Sequence, residues 1–256
     1  MRAAIVTAAG QGTRLGYNIP KALVCVREKT LLSYSVGLFV KSKICDFVVV
    51  TAPGDACEEF ADVLRCDGYV CHVIEDVKNF TVHKYRTSES IPVFVCAGGR
   101  SRQESVAHGL ELCKESVYVY VHDAARPFVP LSVLQRLESA LCAGISAVIP
   151  VMPVTDTIKQ VSSRVDGHEW EEVTATVSRD FLRSVQTPQA FSTEVLRNVH
   201  QKYKDTADDE TISATDDASL IEQAGGKVIA VQGSEFSMKI TRPLDMVVAE
   251  YIAERM

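Results

Sequence analysis

Ala3-Ala4-Ile5-Val6-Thr7-Ala8-Ala9-Gly10-Gln11-Gly12-Thr13-Arg14-Leu15-Gly16 is a run of small and branched apolar residues that stops at a glycine turn. Nothing between Ala3 and Ala8 alternates apolar with polar, so the run reads as a strand buried on both faces. Similar runs recur at Phe47 to Thr51, Val93 to Ala97, Val117 to His122, Ala147 to Val151 and Val228 to Val231. Between them apolar residues fall three or four apart: Leu32, Val36, Phe39 and Val40; Val106, Leu110 and Cys113; Leu131, Leu134, Leu137 and Leu141. That is helical spacing. Strand and helix therefore alternate, which predicts an α/β fold: a mostly parallel, twisted, Rossmann-like sheet with helices on both faces. Ligands of such sheets bind beyond the carboxyl ends of the strands. We read all 256 residues as one domain.

Two segments break this rhythm. Asp76 to Ile91 is polar, with Lys78, His83, Lys84 and Arg86, and reads as a flexible surface excursion. Val154 to Ser184 turns to short β-favouring pieces, Thr157 to Val161 and Glu172 to Val177, around a polar turn at Arg164 to His168. A projecting β-arm of this kind has few core anchors of its own and needs a partner surface, so a homodimer is expected. The closing helix, Pro243 to Arg255, starts on proline and is expected to pack on the sheet.

Charge restricts the partners. With 27 Lys and Arg against 33 Asp and Glu, the net charge is -6, which argues against nucleic acid as a partner. Any phosphate site must be a local gathering of cations. The eight cysteines, Cys25, Cys45, Cys57, Cys66, Cys71, Cys96, Cys113 and Cys142, form no Cys-x-x-Cys pair and read as buried free thiols. No apolar stretch reaches about 18 residues. A cytoplasmic protein without membrane partners is expected.

The chemistry is expected at three turns. Gly10 and Gly12 free backbone N–H groups for a phosphate, but Leu15 stands where a dinucleotide fingerprint needs its third glycine. No acidic residue ends the second strand near Val50, and no Gly-Lys-Ser or Gly-Lys-Thr makes a Walker loop. Instead Arg14 and Pro20-Lys21 flank the turn, two cations suited to the charge that grows in phosphoryl or nucleotidyl transfer. Asp123, in Val121-His122-Asp123-Ala124-Ala125-Arg126-Pro127, sits where a strand meets its loop. There it either holds Mg²⁺ on nucleotide phosphates or caps the helix after Pro130. Arg126 is available to fix the loop or a substrate phosphate, and His122 reads as a strand residue. Gly98-Gly99-Arg100-Ser101-Arg102-Gln103-Glu104-Ser105 either reads a base or ribose or is a plain helix cap. No histidine, serine and acid share a recognisable spacing for nucleophilic hydrolysis.

Those pieces, with Asp156-Thr157-Ile158-Lys159, Arg179, Thr187-Pro188-Gln189, Thr215-Asp216 and Lys239-Ile240-Thr241 in that order, resemble the 2-C-methyl-D-erythritol 4-phosphate cytidylyltransferase family over nearly the whole chain. The resemblance implies a nucleotide-diphospho-sugar transferase fold and a dimer joined through the arm. It also implies an Mg²⁺-dependent reaction of CTP with a sugar-alcohol phosphate in isoprenoid precursor synthesis. On this resemblance Arg14, Lys21, Arg179 and Lys239 are the catalytic cations. Ala8, Ala9, Gly10, Gly12, Gly98, Gly99, Ser105, Asp123 and Ala124 join Arg14 and Lys21 around CTP, and Asp123 holds the metal. Asp123, Arg126, Thr157, Arg179, Thr187, Thr215 and Lys239 cradle methylerythritol phosphate, with Thr157 and Arg179 offered by the partner subunit. The alternatives are a ribitol 5-phosphate cytidylyltransferase on the same fold, a non-catalytic nucleotide-binding regulator and, least of all, a dinucleotide-dependent oxidoreductase.

Overall fold

The computed structural model describes residues 1–10, 12, 15–84, 90–164, 170–204 and 216–255. Its first half contains β1 (Arg2–Thr7), β2 (Cys25–Val26), β3 (Lys29–Thr30), α1 (Leu31–Ser42), β4 (Phe47–Ala52), α2 (Cys57–Cys66), β5 (Cys71–Val73), β6 (Val93–Ala97) and α3 (Arg102–Leu112). There follow β7 (Tyr118–Asp123), α4 (Leu131–Cys142), β8 (Ala147–Pro153), β9 (Ile158–Arg164), β10 (Glu171–Val177), β11 (Arg183–Val185) and β12 (Gln189–Ser192). The chain closes with α5 (Thr193–Lys202), α6 (Asp217–Gln223), β13 (Ile229–Gln232) and α7 (Pro243–Ala253).

One nine-stranded sheet runs β11-β8-β12-β7-β1-β4-β6-β5, with β13 added to β8. The pairings of β7, β1, β4, β6 and β5 are parallel, whereas β11 and β12 return antiparallel on β8 and β7. The unpatterned apolar runs explain the parallel part. Ala3 and Ile5 of β1 face one core with Phe47 and Val49 of β4, while Ala4 and Val6 face the other with Val48 and Val50. Side chains alternate faces along a strand, so a strand covered on both sides has no wet position to leave polar. Helices α1, α2 and α4 supply Phe39, Phe60 and Leu137 to one core. Helices α3, α5 and α6 supply Leu110, Leu196 and Ile221 to the other.

Three expectations change. The excursion at 76–91 is not wholly superficial: Phe80 and Val82 are buried, and Phe80 meets Phe94 of β6 edge-on at 4.8 Å. Residues 85–89 lie outside the described residues. Helix α7 does not lie on the large sheet. Its Met246 and Ala249 close a separate small core with Leu15, Val24, Val26, Leu31, Phe128 and Ile240. That core joins the loop after β1, the loop after β7 and the segment carrying Lys239. Of the free cysteines, Cys25, Cys66 and Cys142 are exposed, contrary to the expectation of buried thiols, and Cys57 is half-buried. The expected arm is present as the hairpin β9–β10, which pairs with no other strand among the described residues. Its polar turn falls largely on residues 165–169, outside them.

Candidate active site

The site forms at the carboxyl ends of the parallel strands. In register, Thr7 at the end of β1 lies beside Asp123 at the end of β7, and the loops that follow wall a cavity of about 370 Å³. That is within the range of small-ligand pockets. Of the residues singled out in the sequence, Ala8, Ala9, Gly10, Gly12, Lys21, Gly99, Ser105, Asp123, Ala124 and Lys239 line it. Gly98 stands behind the wall, where an added Cβ would come within 2.9 Å of the Ser105 hydroxyl. Gly12 has φ +68, and a Cβ there would collide with the Cβ of Lys21. The glycine thus lets the turn press onto the lysine and set it at the cavity.

The turn at 98–105 is both a cap and a wall. Ser101 accepts the Glu104 N–H at 3.1 Å and caps α3, and the Glu104 carboxylate accepts the Arg100 N–H at 2.7 Å. Ser105 Oγ accepts the Gly99 N–H at 3.0 Å and donates to the Ser101 carbonyl at 2.9 Å. Gly99, Arg100, Ser101, Arg102 and Ser105 still face the cavity.

Asp123 does not cap α4, whose N-cap is Pro130. Its carboxylate lies in a buried wall between cations. Oδ1 accepts Arg102 Nε at 3.2 Å and the Thr7 hydroxyl at 3.4 Å, and Oδ2 accepts Lys239 Nζ at 2.8 Å. Burial alone would push its pKa up. The charges of Arg102, Lys239 and Arg126 outweigh burial and hold the carboxyl well below the usual carboxylate range. Arg102, drawn down by burial, is raised further still by Asp217 and Asp123. Among the described residues four cations, Lys21, Arg100, Arg102 and Lys239, thus share the cavity with one carboxylate in a protein that is acidic overall. Such a wall attracts a polyanion.

A second cavity of about 400 Å³ adjoins the first, and Arg102, Asp123 and Lys239 line both. Arg126 and Thr187 line the second. Much of their hydrogen bonding goes into holding the Asp123 loop. Arg126 donates to the carbonyls of Ser237 at 2.7 Å and Val185 at 3.3 Å. Thr187 Oγ1 accepts the Asp123 N–H at 3.1 Å and lies 3.0 Å from His122 Nδ1. His122 is fully buried against Phe39, and burial brings its pKa down to about 3, so it stays neutral as a strand residue.

Thr157 and Arg179 belong to the arm region and line neither cavity. The Arg179 guanidinium donates to the Thr155 carbonyl. Arg14 and Thr215 lie outside the described residues. Asp216 spends its carboxylate capping α6 through the Ser219 N–H at 2.9 Å and accepting Gln189 Nε2 at 2.6 Å. The contribution that sequence reasoning missed is Arg102. It stood inside the quoted turn, but the partners that give it a role lie 21 and 115 residues away.

A divalent cation is testable against this donor set. Among the described residues no group of three or more His, Cys, Asp or Glu could hold a metal. Mg²⁺ in phosphate-transfer sites characteristically takes one or two carboxylates and fills the rest of its shell with substrate oxygens and water. A carboxylate offers about four acceptor positions. Arg102, Thr7 and Lys239 take three of those on Asp123, leaving room on Oδ2. The residues fit a cation that brings most of its own oxygen ligands with it.

A family model described as 2-C-methyl-D-erythritol 4-phosphate cytidylyltransferase matches residues 2–255. The chain is 39% identical over 254 residues to the enzyme of that name from Streptomyces avermitilis, covering 99% of this chain and 92% of the relative. The crystal structure of the enzyme of the same name from Thermus thermophilus superposes with a TM-score of 0.69 at 30% identity, covering 99% of this chain and all of the other. A 4-diphosphocytidyl-2C-methyl-D-erythritol synthase structure from Anaerococcus prevotii gives a TM-score of 0.74 at 26% identity, covering 100% and 96% of the two chains. None of these names favours the ribitol phosphate alternative.

Proposed function

Because the chain belongs to the 2-C-methyl-D-erythritol 4-phosphate cytidylyltransferase family, a family of nucleotidyltransferase enzymes, we propose that its paired cavities join CTP to 2-C-methyl-D-erythritol 4-phosphate. The products are 4-diphosphocytidyl-2-C-methyl-D-erythritol and pyrophosphate. The observation that carries this reading is the wall shared by the two cavities, where Asp123 and Lys239 face both. CTP occupies the cavity over the glycine turn, with Gly98, Gly99 and Ser105 toward the base, and the acceptor phosphate enters from the adjoining cavity.

A phosphate oxygen of the acceptor attacks the α-phosphorus of CTP in line. A new P–O bond forms, the bond to the β-phosphate oxygen breaks, and pyrophosphate leaves with the bonding electrons. No covalent enzyme intermediate is needed. The main obstacle is bringing two polyanions together, and preset cations lower it without reorganising during the step. Lys21 and Arg14 meet the charge at the α-phosphate and the leaving group. Lys239, nearly half exposed on a long stem, turns to the acceptor phosphate. Asp123 would hold Mg²⁺, which when bound neutralises triphosphate charge. Arg126 and Thr187 keep the Asp123 loop at the junction.

The arm makes the protein a homodimer in this reading. Trp170, Val173 and Val161 are 67%, 56% and 41% exposed in the single chain, which is apolar surface for a second copy. Thr157 and Arg179 then serve the partner's acceptor site. Mixing Arg179→Ala subunits with Lys21→Ala subunits is expected to restore activity that neither has alone. No helix among the described residues is long and apolar enough to cross a membrane, and we place the enzyme in the cytoplasm.

The test is pyrophosphate release from CTP and Mg²⁺ with 2-C-methyl-D-erythritol 4-phosphate, against a blank without acceptor. Acceptor-dependent release is expected. Release only with ribitol 5-phosphate would move the assignment to that alcohol, and CTP binding without release from either would make the protein a nucleotide-binding regulator.

A further inference from the structure

The two cations on Asp123 are built differently. Lys239 approaches from solvent, its side chain 42% exposed. Arg102, its side chain 28% exposed at the cavity wall, is held at both ends: Nε lies 3.2 Å from Asp123, and Nη1 lies 2.7 Å from Oδ2 of Asp217. Asp217 is itself fixed. Its side chain is 1% exposed, and its second oxygen lies 2.9 Å from Nε2 of buried His200. Four elements, α5, α6, α3 and β7, thus contribute one side chain each to a line His200–Asp217–Arg102–Asp123 that runs from the core to the cavity wall.

Resting on the cytidylyl-transfer reading, we propose that Arg102 is the positioning residue of Asp123 and that Asp217, braced by His200, is the strut that holds Arg102 in place. Lys239 cannot serve both Asp123 and an arriving phosphate. When it turns to the phosphate, a buried carboxylate without a counter-charge would be left to swing or to draw Lys239 back. A guanidinium presents its donors in a rigid fork, and one already tied to Asp217 loses little further freedom in holding Asp123. The carboxylate therefore keeps its charge and direction on Oδ1 while Oδ2 is released to the substrates. Lysine replaces this only in part, because one ammonium on a flexible stem restores the charge beside Asp123 but does not span two separated carboxylates in fixed geometry.

The strut positions the carboxylate during transfer, so its loss is expected mainly in kcat and in KM for the sugar phosphate; the Kd for Mg²⁺ and CTP weakens less than kcat falls, least of all in Asp217→Asn, which leaves the Arg102 charge in the cavity. Three variants and one combination test it: Arg102→Gln, Arg102→Lys, Asp217→Asn, and Arg102→Gln with Asp217→Asn. Thermal melts check that each folds. Removing a residue that orients a ligating group costs about 10- to 100-fold in activity, and we expect that loss of kcat in Arg102→Gln and Asp217→Asn, with partial recovery in Arg102→Lys. If Asp217 acts only through Arg102, adding Asp217→Asn to Arg102→Gln lowers kcat no further. Additive losses, a CTP Kd that weakens in step with kcat, or wild-type kcat in Asp217→Asn would overturn the proposal. Should Arg102→Gln not fold, the same cycle with Arg102→Lys decides it. A wild-type protein without acceptor-dependent release overturns the functional reading and this proposal with it, whereas an active wild type with equally active variants overturns this proposal alone.

Discussion

Replacing Lys239 with alanine separates binding of the acceptor from stability and from binding of CTP. Its ammonium lies 2.8 Å from Asp123 Oδ2, but the side chain is 42% exposed and Arg102 remains on Oδ1. Solvent screening therefore limits the lost ion pair to about 1 kcal/mol or less. For a chain of this size that is a fall in Tm of at most about 4 °C. The kinetic effect is larger, because the lysine's charge-assisted hydrogen bond to the acceptor phosphate goes as well. Such a bond contributes about 1.5–3 kcal/mol, which at about 1.4 kcal/mol per decade is roughly a 10- to 150-fold loss in kcat/KM for the sugar phosphate. Steady-state pyrophosphate release with the acceptor varied at saturating CTP measures it, and calorimetry of CTP binding is expected to change less than about threefold. An acceptor kcat/KM equal to wild type would refute the placement of Lys239 at the acceptor, and a CTP Kd weakened as much as kcat/KM would move it to the nucleotide.

Three further outcomes follow from particular contacts. Lys21→Ala is expected to lower kcat at least about a hundredfold, the effect of removing one preset donor from a developing charge; near-normal turnover would remove Lys21 from the charge-stabilising group. Phe80→Ala, which empties the edge-on contact with Phe94 at 4.8 Å, is expected to cost about 3 kcal/mol of unfolding free energy, read by urea denaturation, with kcat unchanged per folded molecule; a loss under about 1 kcal/mol would return that segment to the surface. Asp245 Oδ2 accepts the Thr241 N–H at 2.7 Å and the Arg242 N–H at 2.8 Å, bonds that outweigh burial and lower its pKa. Since the folded pKa lies below the unfolded one, the stabilisation is present above about pH 4 and is lost as the pH falls through the folded value. Asp245→Asn is therefore expected to melt several degrees lower at pH 7, with the gap closing in acid; a gap independent of pH would show that the carboxylate charge is not what caps α7.

Much of the fold follows from local pattern. Ala3 to Val6 and Phe47 to Val50 each divide by alternate residues between two cores, and a run with no polar member has only one environment open to it. The turn chemistry is equally local. Gly12 at φ +68 and Ser101 at the head of α3 have roles set by residues within nine positions of each, Lys21 and Glu104. The excursion reads as surface from sequence because Phe80 and Val82 are single apolar residues in a polar stretch, and periodicity does not register isolated anchors. Helix α7 was misplaced for a related reason. An apolar helix declares that it packs, but the partner that buries Met246 is a cluster drawn from distant loops.

Which strands are buried, where loops follow them, and that cations and a carboxylate stand at those strand-to-loop turns can all be told from local sequence, because each depends on residues near in the chain. Tertiary structure alone decided how those charges are paired. Arg102 and Asp217 are 115 residues apart, and nothing local to either says that the start of α6 will stand within reach of the start of α3. In a low-dielectric wall a carboxylate's ionisation and direction depend on which charges stand within a few ångströms. That distance is set by how α3, α5 and α6 pack on one face of the sheet.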